Sequence, residues 1–351
     1  MHEFITPVKA KDQEKEFLEA FYKDISIVND NYRLTNTSNQ SVYVSRLPNM
    51  QVFGIQEPTG PWLNACISNA AGELLFEHVK QPINSRVYDA FNNPWPSEQI
   101  RLEGEVGFLV YSSLDNNYYH WLCHTLPRIY LYRQAGFSPR KFIVDLAAPG
   151  CTAVRMESLY ALGITQEMLC PLSTTHIYQP DQLVSLPALD FCRIPSLAVL
   201  KWLRAELCLK HKIPVDPTYE RLYISRKDAL MRHVINEAEV EALLKRYNFK
   251  VVTLGELSLY RQIQLFASAK VLVAPHGAGL ANIIFCETGT KLLELMPTNR
   301  SDAMYKELAL KGELNYMRLV CEAVPINNPP HLSNIVVDVE ELERNLRLTL
   351  K

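Results

Sequence analysis

Val271-Leu272-Val273-Ala274-Pro275-His276-Gly277-Ala278-Gly279-Leu280-Ala281-Asn282 reads as a buried strand that runs into a glycine-rich turn and then a helix. Four apolar residues closed by Pro and Gly suit a central parallel strand, and Gly277 and Gly279 let a ligand approach the main chain. A helix over 278–285 aims its unpaired N–H groups and positive dipole end at whatever lies above the turn, and phosphate is the usual guest. Gly-x-Gly is common, however, and His276 alone is equally a satisfied turn histidine, so the neighbours decide.

Those neighbours repeat the alternation of strand and helix. A strand over 221–225 leads to Asn236, which opens a helix with Glu239 as capping-box partner and Val240, Leu243, Leu244 and Tyr247 on one face. A strand over 249–254 follows, then a helix starting at Ser258 with Leu259, Ile263, Phe266 and Ala267 as its buried stripe, and a strand over 291–296. Parallel strands joined by helices at these spacings specify a right-handed, Rossmann-like sheet. The tail from Ser301 predicts more helix, a strand over 334–339 and a last helix over 340–350.

Towards the N-terminus the pattern changes. Residues 1–30 read as a mixed-charge peripheral arm, and 31–104 as short strands and turns, with apolar runs between Asn, Ser, Gly and Pro clusters. A buried strand over 105–111 ends in a polar turn, and a helix over 118–134 stops at Gly136. Pro127 inside that helix crowds the carbonyl of Cys123, which predicts a kink near 123–127. A strand over 141–145, a helix over 152–162, a strand over 182–186 and a helix over 195–210 complete a second α/β lobe. The prolines of 212–217 mark an interlobe linker. The predicted organisation is an arm (1–30), an N-terminal lobe (31–213, β-rich over 31–104 and Rossmann-like over 105–213) and a C-terminal lobe (214–351).

Composition bounds the function. With 48% apolar and 21% charged residues the 351-residue chain is globular, and a net charge of -2 argues against nucleic acid or a strongly anionic membrane as partner. No apolar run reaches membrane-spanning length and no signal pattern opens the chain, which predicts a cytoplasmic setting. The eight cysteines are scattered without a C-x-x-C pair, so they read as small core residues rather than a zinc or redox site. A G-x-x-x-x-G-K-[ST] phosphate loop is absent from the sequence.

In open parallel sheets ligands sit beyond the carboxyl ends of the strands. There the C-terminal lobe offers Arg226 and Lys227, His276 through Gly279, and Glu294. Two cations and a helix N-terminus match a nucleotide diphosphate, with Glu294 accepting from ribose hydroxyls; the plainer alternative for Arg226 and Lys227 is a solvated charge pair. A carboxylate between Leu293 and Leu295 is costly to bury without a partner. On the other lobe, 115–117 and a helix bearing His120, His124 and, one turn on, Arg128 occupy the corresponding rim. The two histidines suit acid/base work, packing within a kinked helix, or, with less support, zinc, since the Glu of H-E-x-x-H and a third ligand are missing nearby. Tyr119 and Trp121 add aromatic surface for a sugar or for the core.

Taken together, Asn117-Tyr118-Tyr119-His120-Trp121, Leu126-Pro127-Arg128, Ile224-Ser225-Arg226, Arg232, Asn236-Glu237, Gln262, Pro275-His276-Gly277-Ala278-Gly279, Asn282 and Glu294-Leu295 resemble glycosyltransferase family 61 over roughly 105–300. The resemblance implies a GT-B fold, two Rossmann-like lobes around a cleft, and inverting transfer from a nucleotide-sugar, with a UDP-sugar favoured, to a saccharide or lipid-linked saccharide. It implies no cofactor and no metal, a D-x-D pair being absent. Donor-binding roles fall on Arg226, Lys227, Arg232, His276, Gly277, Ala278, Gly279, Asn282 and Glu294, and acceptor-binding roles on Asn117, Tyr119, Trp121 and Arg128. Hexosyl, N-acetylhexosaminyl and pentosyl transfer all fit. The chain looks most like the bacterial members tied to capsule and surface polysaccharide, in the cytoplasm at the inner membrane face, peripherally bound or homo-oligomeric. One departure stands out: the family commonly has Asp or Glu four residues after the motif histidine, where this chain has His124. His124, His120 and Asp115 are thus the candidate bases. A histidine-based metallohydrolase using His120, His124 and His276, and a non-catalytic sugar- or nucleotide-binding homologue, are the alternatives.

Overall fold

The computed structural model of the chain describes residues 34–35, 41–42, 44–56, 63–72, 74–75, 95–110, 117–146, 152–186, 195–301, 303–325 and 332–350. The arm expected over 1–30 and the candidate base Asp115 lie outside the described residues. The chain is a mixed α/β protein with two main sheets, and it divides into two compact units between Ser196 and Leu197. That division precedes the 197–209 helix instead of following it at the prolines of 212–217. The proline stretch is tied into the second unit: the Asp216 N–H donates to Ser268 Oγ at 2.8 Å and Gln264 Nε2 donates to the Pro214 carbonyl at 3.1 Å.

In the first unit, β1 (Ser45–Pro48), β2 (Gln51–Gln56), β3 (Leu63–Ser68), β4 (Glu98–Phe108), β5 (Lys141–Val144), β6 (Leu169–Pro171) and β7 (His176–Ser185) form a seven-stranded sheet in the order β3-β2-β7-β4-β5-β6, with β1 also on β7. The strands from β7 to β6 are parallel and β1 to β3 antiparallel. β4 and β7 start well before the predicted 105–111 and 182–186: the first half of β4 is largely polar and partly exposed, and in β7 the buried Ile177 and Tyr178 are set apart from the apolar run by Gln179–Gln182. Where the β4–β7 register slips between Leu102 and Glu105, Gly104 takes φ 72°, a left-handed conformation that favours glycine. Val106, Phe108, Ile143 and Leu183, all at 0% exposure, form the core against β2 and β3.

Helix α1 spans 118–134, as predicted, but is not uniform. Tyr118–His120 and Leu126–Gln134 are α-helical, and Trp121–Thr125 between them is a π turn in which the Leu126 N–H reaches back to the Trp121 carbonyl. The π turn overlaps the stretch, 123–127, where a kink is expected. It puts Pro127 in the first turn of the following segment, where a missing N–H costs nothing. α2 (Thr152–Ala161) and a 3-10 turn, Gln166–Met168, follow it among the described residues of this unit.

The second unit holds α3 (Leu197–Arg204, continued by a π turn, Ala205–Leu209), β8 (Arg221–Ile224), α4 (Glu237–Arg246), β9 (Lys250–Val252), α5 (Leu259–Ser268), β10 (Val271–Pro275), β11 (Lys291–Pro297), α6 (Met304–Lys311), β12 (Asn315–Val324), β13 (Asn334–Val336) and α7 (Val339–Thr349). The sheet order is β9-β8-β10-β11-β12-β13, the first five parallel and β13 antiparallel. This is a doubly wound sheet whose strand order reverses between β8 and β10. Three local expectations need correction. The segment after β10, Ala278–Phe285, is a 3-10 helix rather than an α-helix. β12 falls in the tail expected to be helix, although Tyr316, Val320 and Val324 favour strand and buried Leu319 and Cys321 alternate with exposed Arg318, Val320 and Glu322; its parallel pairing with β11 fixes it there. Ser258 caps α5 as predicted, its Oγ accepting from the Arg261 N–H, but Asn236 makes no side-chain cap on α4. The Asn236 amide instead brackets Val337, donating to its carbonyl at 2.8 Å and accepting its N–H at 3.0 Å.

The six cysteines among the described residues are all buried and free, as the sequence implies. Among the described residues no helix is long and apolar enough to cross a membrane.

One polar contact fixes α4 to the sheet interior. Tyr223 in β8 is fully buried and its O–H donates to Glu237 Oε1 at 2.8 Å; burial first, then Glu237, pushes the phenol far above its ordinary pKa, so it stays a donor. Tyr223→Phe leaves a carboxylate at 7% exposure short of a donor, and we expect a loss of about 1–3 kcal/mol in urea unfolding. An unchanged midpoint would show that the hydrogen bond contributes nothing net.

Candidate active site

The reversal between β8 and β10 creates a crevice at the carboxyl ends of these strands. It has a volume of about 90 Å³ and is lined by Ile224 at the end of β8 with Ser225, Arg226 and Asp228 beyond it, by Ala274 and Pro275 at the end of β10 with Gly277, Gly279 and Leu280 beyond it, and by Leu254. Arg226 supplies its charge. The side chain is largely buried, its Nη2 donates to the Met231 carbonyl at 3.0 Å, and its Nε has no hydrogen-bond partner among the described residues. Burial lowers its pKa, with Tyr305 and Asp228 pulling the other way. The guanidinium lies on Gly277: a Cβ there would come within 1.9 Å of Nη1. Gly277 is therefore required for space, since its φ of 173° is ordinary extended backbone.

Behind the crevice is a buried polar chain. His276 Nδ1 and Glu294 Oε1 are 2.6 Å apart, and Glu294 Oε2 accepts from the Tyr316 hydroxyl at 2.6 Å, with His276 and Glu294 at 2% and 1% exposure. The carboxylate thus orients the imidazole through Nδ1, and the ring lies 5.1 Å from that of Tyr305. Both oxygens of Glu294 are engaged inside the protein, which gives the carboxylate a structural role there. The backbone N–H of His276 bonds to the Leu295 carbonyl, extending the β10–β11 pairing to the edge of the turn.

Two other predicted donor residues also serve the scaffold. Fully buried Asn282 donates to Gln262 Oε1 at 3.0 Å and to the Gly279 carbonyl at 3.1 Å, fixing the glycine turn from below. Lys227 points away to an ion pair with Glu241 on α4, which lifts its pKa. Arg232, in the loop after β8, adopts a left-handed backbone with φ 61°. Ala278 opens the 3-10 helix, where Leu280 N–H bonds to the Gly277 carbonyl.

In the first unit the predicted residues gather on α1. Asn117 is its N-cap, Oδ1 accepting from the Tyr119 N–H at 2.9 Å. Trp121 is core rather than sugar platform: it is 1% exposed, donates through Nε1 to Ser158 Oγ at 2.9 Å and carries the Arg155 guanidinium 5.6 Å over its ring. Tyr119, 4% exposed, packs edge-on against both His120 and His124. The two histidines meet Nδ1 to Nδ1 at 2.9 Å. One ring must therefore donate from Nδ1 while the other accepts. His124 is fully buried and His120 only partly, so His120 is the more exposed of the pair. Arg128, fully buried, lies one turn further along. Among the described residues no three of His, Cys, Asp and Glu come together as a metal site.

The family model described as Glycosyltransferase 61 matches residues 118–293, half of the chain. The chain belongs to that family, and it is a glycosyltransferase with a sugar donor and an acceptor. Among curated proteins the chain has no match.

Tyr305, beside His276, and Tyr316, on Glu294, come from α6 and β12, far from any motif, and carry no signal in the sequence. The seating of Arg226 on Gly277 yields a test. Gly277→Ala should alter urea stability by under about 1 kcal/mol, because the far end of a flexible side chain can move aside, but it should expel the guanidinium and weaken inorganic pyrophosphate binding by at least about tenfold. Calorimetry that finds equal pyrophosphate affinity would show that the seat is immaterial.

Proposed function

We propose that the chain is an inverting, metal-independent transferase of GT-B type, which moves a hexosyl, N-acetylhexosaminyl or pentosyl group from a UDP-sugar to a saccharide hydroxyl in a glycan or polysaccharide precursor. One observation carries this reading: a buried guanidinium seated on Gly277 at the strand-order reversal, facing the opening turn of a helix. A cation and main-chain N–H groups at that point are the means by which such sheets hold a diphosphate.

In this mechanism the second unit binds the donor and the first binds the acceptor. His120 Nδ1–H donates to His124, which leaves the lone pair of His120 Nε2 to take the acceptor proton. The acceptor oxygen then bonds to the anomeric carbon from the face opposite the diphosphate. The carbon–oxygen bond to the diphosphate breaks and its electron pair leaves with that group, whose charge Arg226 and the turn offset. His276, Glu294 and Tyr316 hold the end of β10 from which Gly277 departs, and His124 orients the base as a carboxylate would.

Calorimetric titration without added metal against UDP-, GDP-, CMP- and dTDP-sugars tests the donor assignment. One class should bind, with affinity lost in Arg226→Ala and kept in Lys227→Ala; equal affinity in wild type and Arg226→Ala would refute it. For the base, His120→Ala should lower kcat by about 10²–10⁴ with donor affinity intact. His124→Ala should lower it less, and His124→Asp should recover part of that loss by accepting the same Nδ1–H. Full turnover by His120→Ala would move the base elsewhere, and donor binding without turnover on any acceptor would favour a binding homologue.

A further inference from the structure

Four residues beyond His124, Arg128 is fully buried with an incomplete set of partners. Its Nη1 donates to the Leu186 carbonyl at a long 3.5 Å, whereas Nε and Nη2 have no hydrogen-bond partner among the described residues. Nε–H and the adjacent Nη2–H form one edge of the planar guanidinium, the fork that grips a carboxylate or phosphate through two parallel hydrogen bonds. Among the described residues no carboxylate forms an ion pair with this guanidinium. His124, Thr125, Leu131 and Tyr132, the helix neighbours within reach at i±3 and i±4, include no carboxylate, and His124 Nδ1 is taken by His120. The neighbouring Tyr132 is neutral: its hydroxyl donates to the Phe108 carbonyl, and burial pushes it up to about 12 although the charge of Arg128 and a hydrogen-bonding contact from its guanidinium draw it down. Internal waters could satisfy two N–H groups but would leave a full positive charge buried without a counter-ion.

We infer that the counter-ion is supplied by the substrate: the acceptor carries an oxyanion, carboxylate or phosphate, that docks on the Nε–Nη2 edge of Arg128. This rests on assigning the acceptor to the first unit. His120 and Arg128 are eight residues apart, about 12 Å of helix rise, and a helical side chain leans back towards the N-terminus. The oxyanion therefore belongs to the sugar that bears the reacting hydroxyl or to its neighbour. Burial sharpens the choice. A group arriving at Arg128 loses its hydration, and only a charged, bidentate partner offsets that loss, so a neutral hydroxyl in its place is rejected.

The test is retention of the purified full chain on immobilised oligosaccharides: a uronate-containing set, a phosphorylated set, neutral sets, and the uronate set after carboxyl reduction. Wild type should be retained by one acidic set at least about tenfold better than by its neutral counterpart, and the set that wins tells carboxylate from phosphate. Arg128→Lys keeps the charge and loses the fork, so it should lose that preference; Arg128→Gln is a second variant, scored only if folded. Donor titration of each protein serves as the folding control. Equal retention of acidic and neutral glycans, retention of neither by protein that binds its donor, or an unchanged preference in Arg128→Lys each overturns the inference. Acidic retention in a protein that binds no nucleotide-sugar would instead sink the proposed function and leave this inference standing.

Discussion

A guanidinium lies against a main chain only where no Cβ stands in the way, and the second unit is organised to meet that condition at Gly277. The requirement propagates outward. Arg226 must leave β8 and Gly277 must leave β10 at the same edge, so these strands must be neighbours. Neighbouring strands that come first and third in the chain imply a sheet wound in both directions. The end of β10 must also be stiff, and a carboxylate buried beneath it, held from one side by His276 and from the other by Tyr316, supplies that stiffness. Breaking such a chain at any link strands a polar group away from water.

The strand-helix alternation from 221 to 297 is written plainly in the sequence, because each parallel strand there is apolar on both faces and each helix carries a spaced stripe. That Arg226 and Gly277 would share an edge follows from that alternation. Other parts are hidden for physical reasons. β12 mixes strand formers (Tyr316, Val320, Val324) with Met317, Leu319, Glu322 and Ala323, which also suit a helix, and its partner β11 decides between them. Lys227 sits beside Arg226 in the chain, yet successive residues leave in different directions, and Glu241 on α4 captures it. Glu294 illustrates both sides. Its need for a partner is evident from its apolar neighbours, but which partner is a matter of register.

The first unit reads differently. Its motif residues are close in sequence, but most of them build α1 instead of facing a ligand: Asn117 caps it, Trp121 anchors it to Ser158 and Tyr119 wedges the two imidazoles. A dense motif can thus describe how a helix is held as much as what it holds. The chemistry left over is a line of nitrogen side chains, two imidazoles, His120 and His124, and the guanidinium of Arg128, the first partly exposed and the other two enclosed.

The wide turn Trp121–Thr125 sets how that line is aimed. In geometric terms a π turn is an α-helix with one residue too many, and one residue is worth about 100° of rotation. Everything ahead of it, His120 included, therefore meets the sheet about a quarter-turn away from the regular continuation of Leu126–Gln134. A chain one residue shorter here would make a more regular helix and swing the imidazole to another side. The direction of His120 is thus encoded in a residue count as much as in any contact.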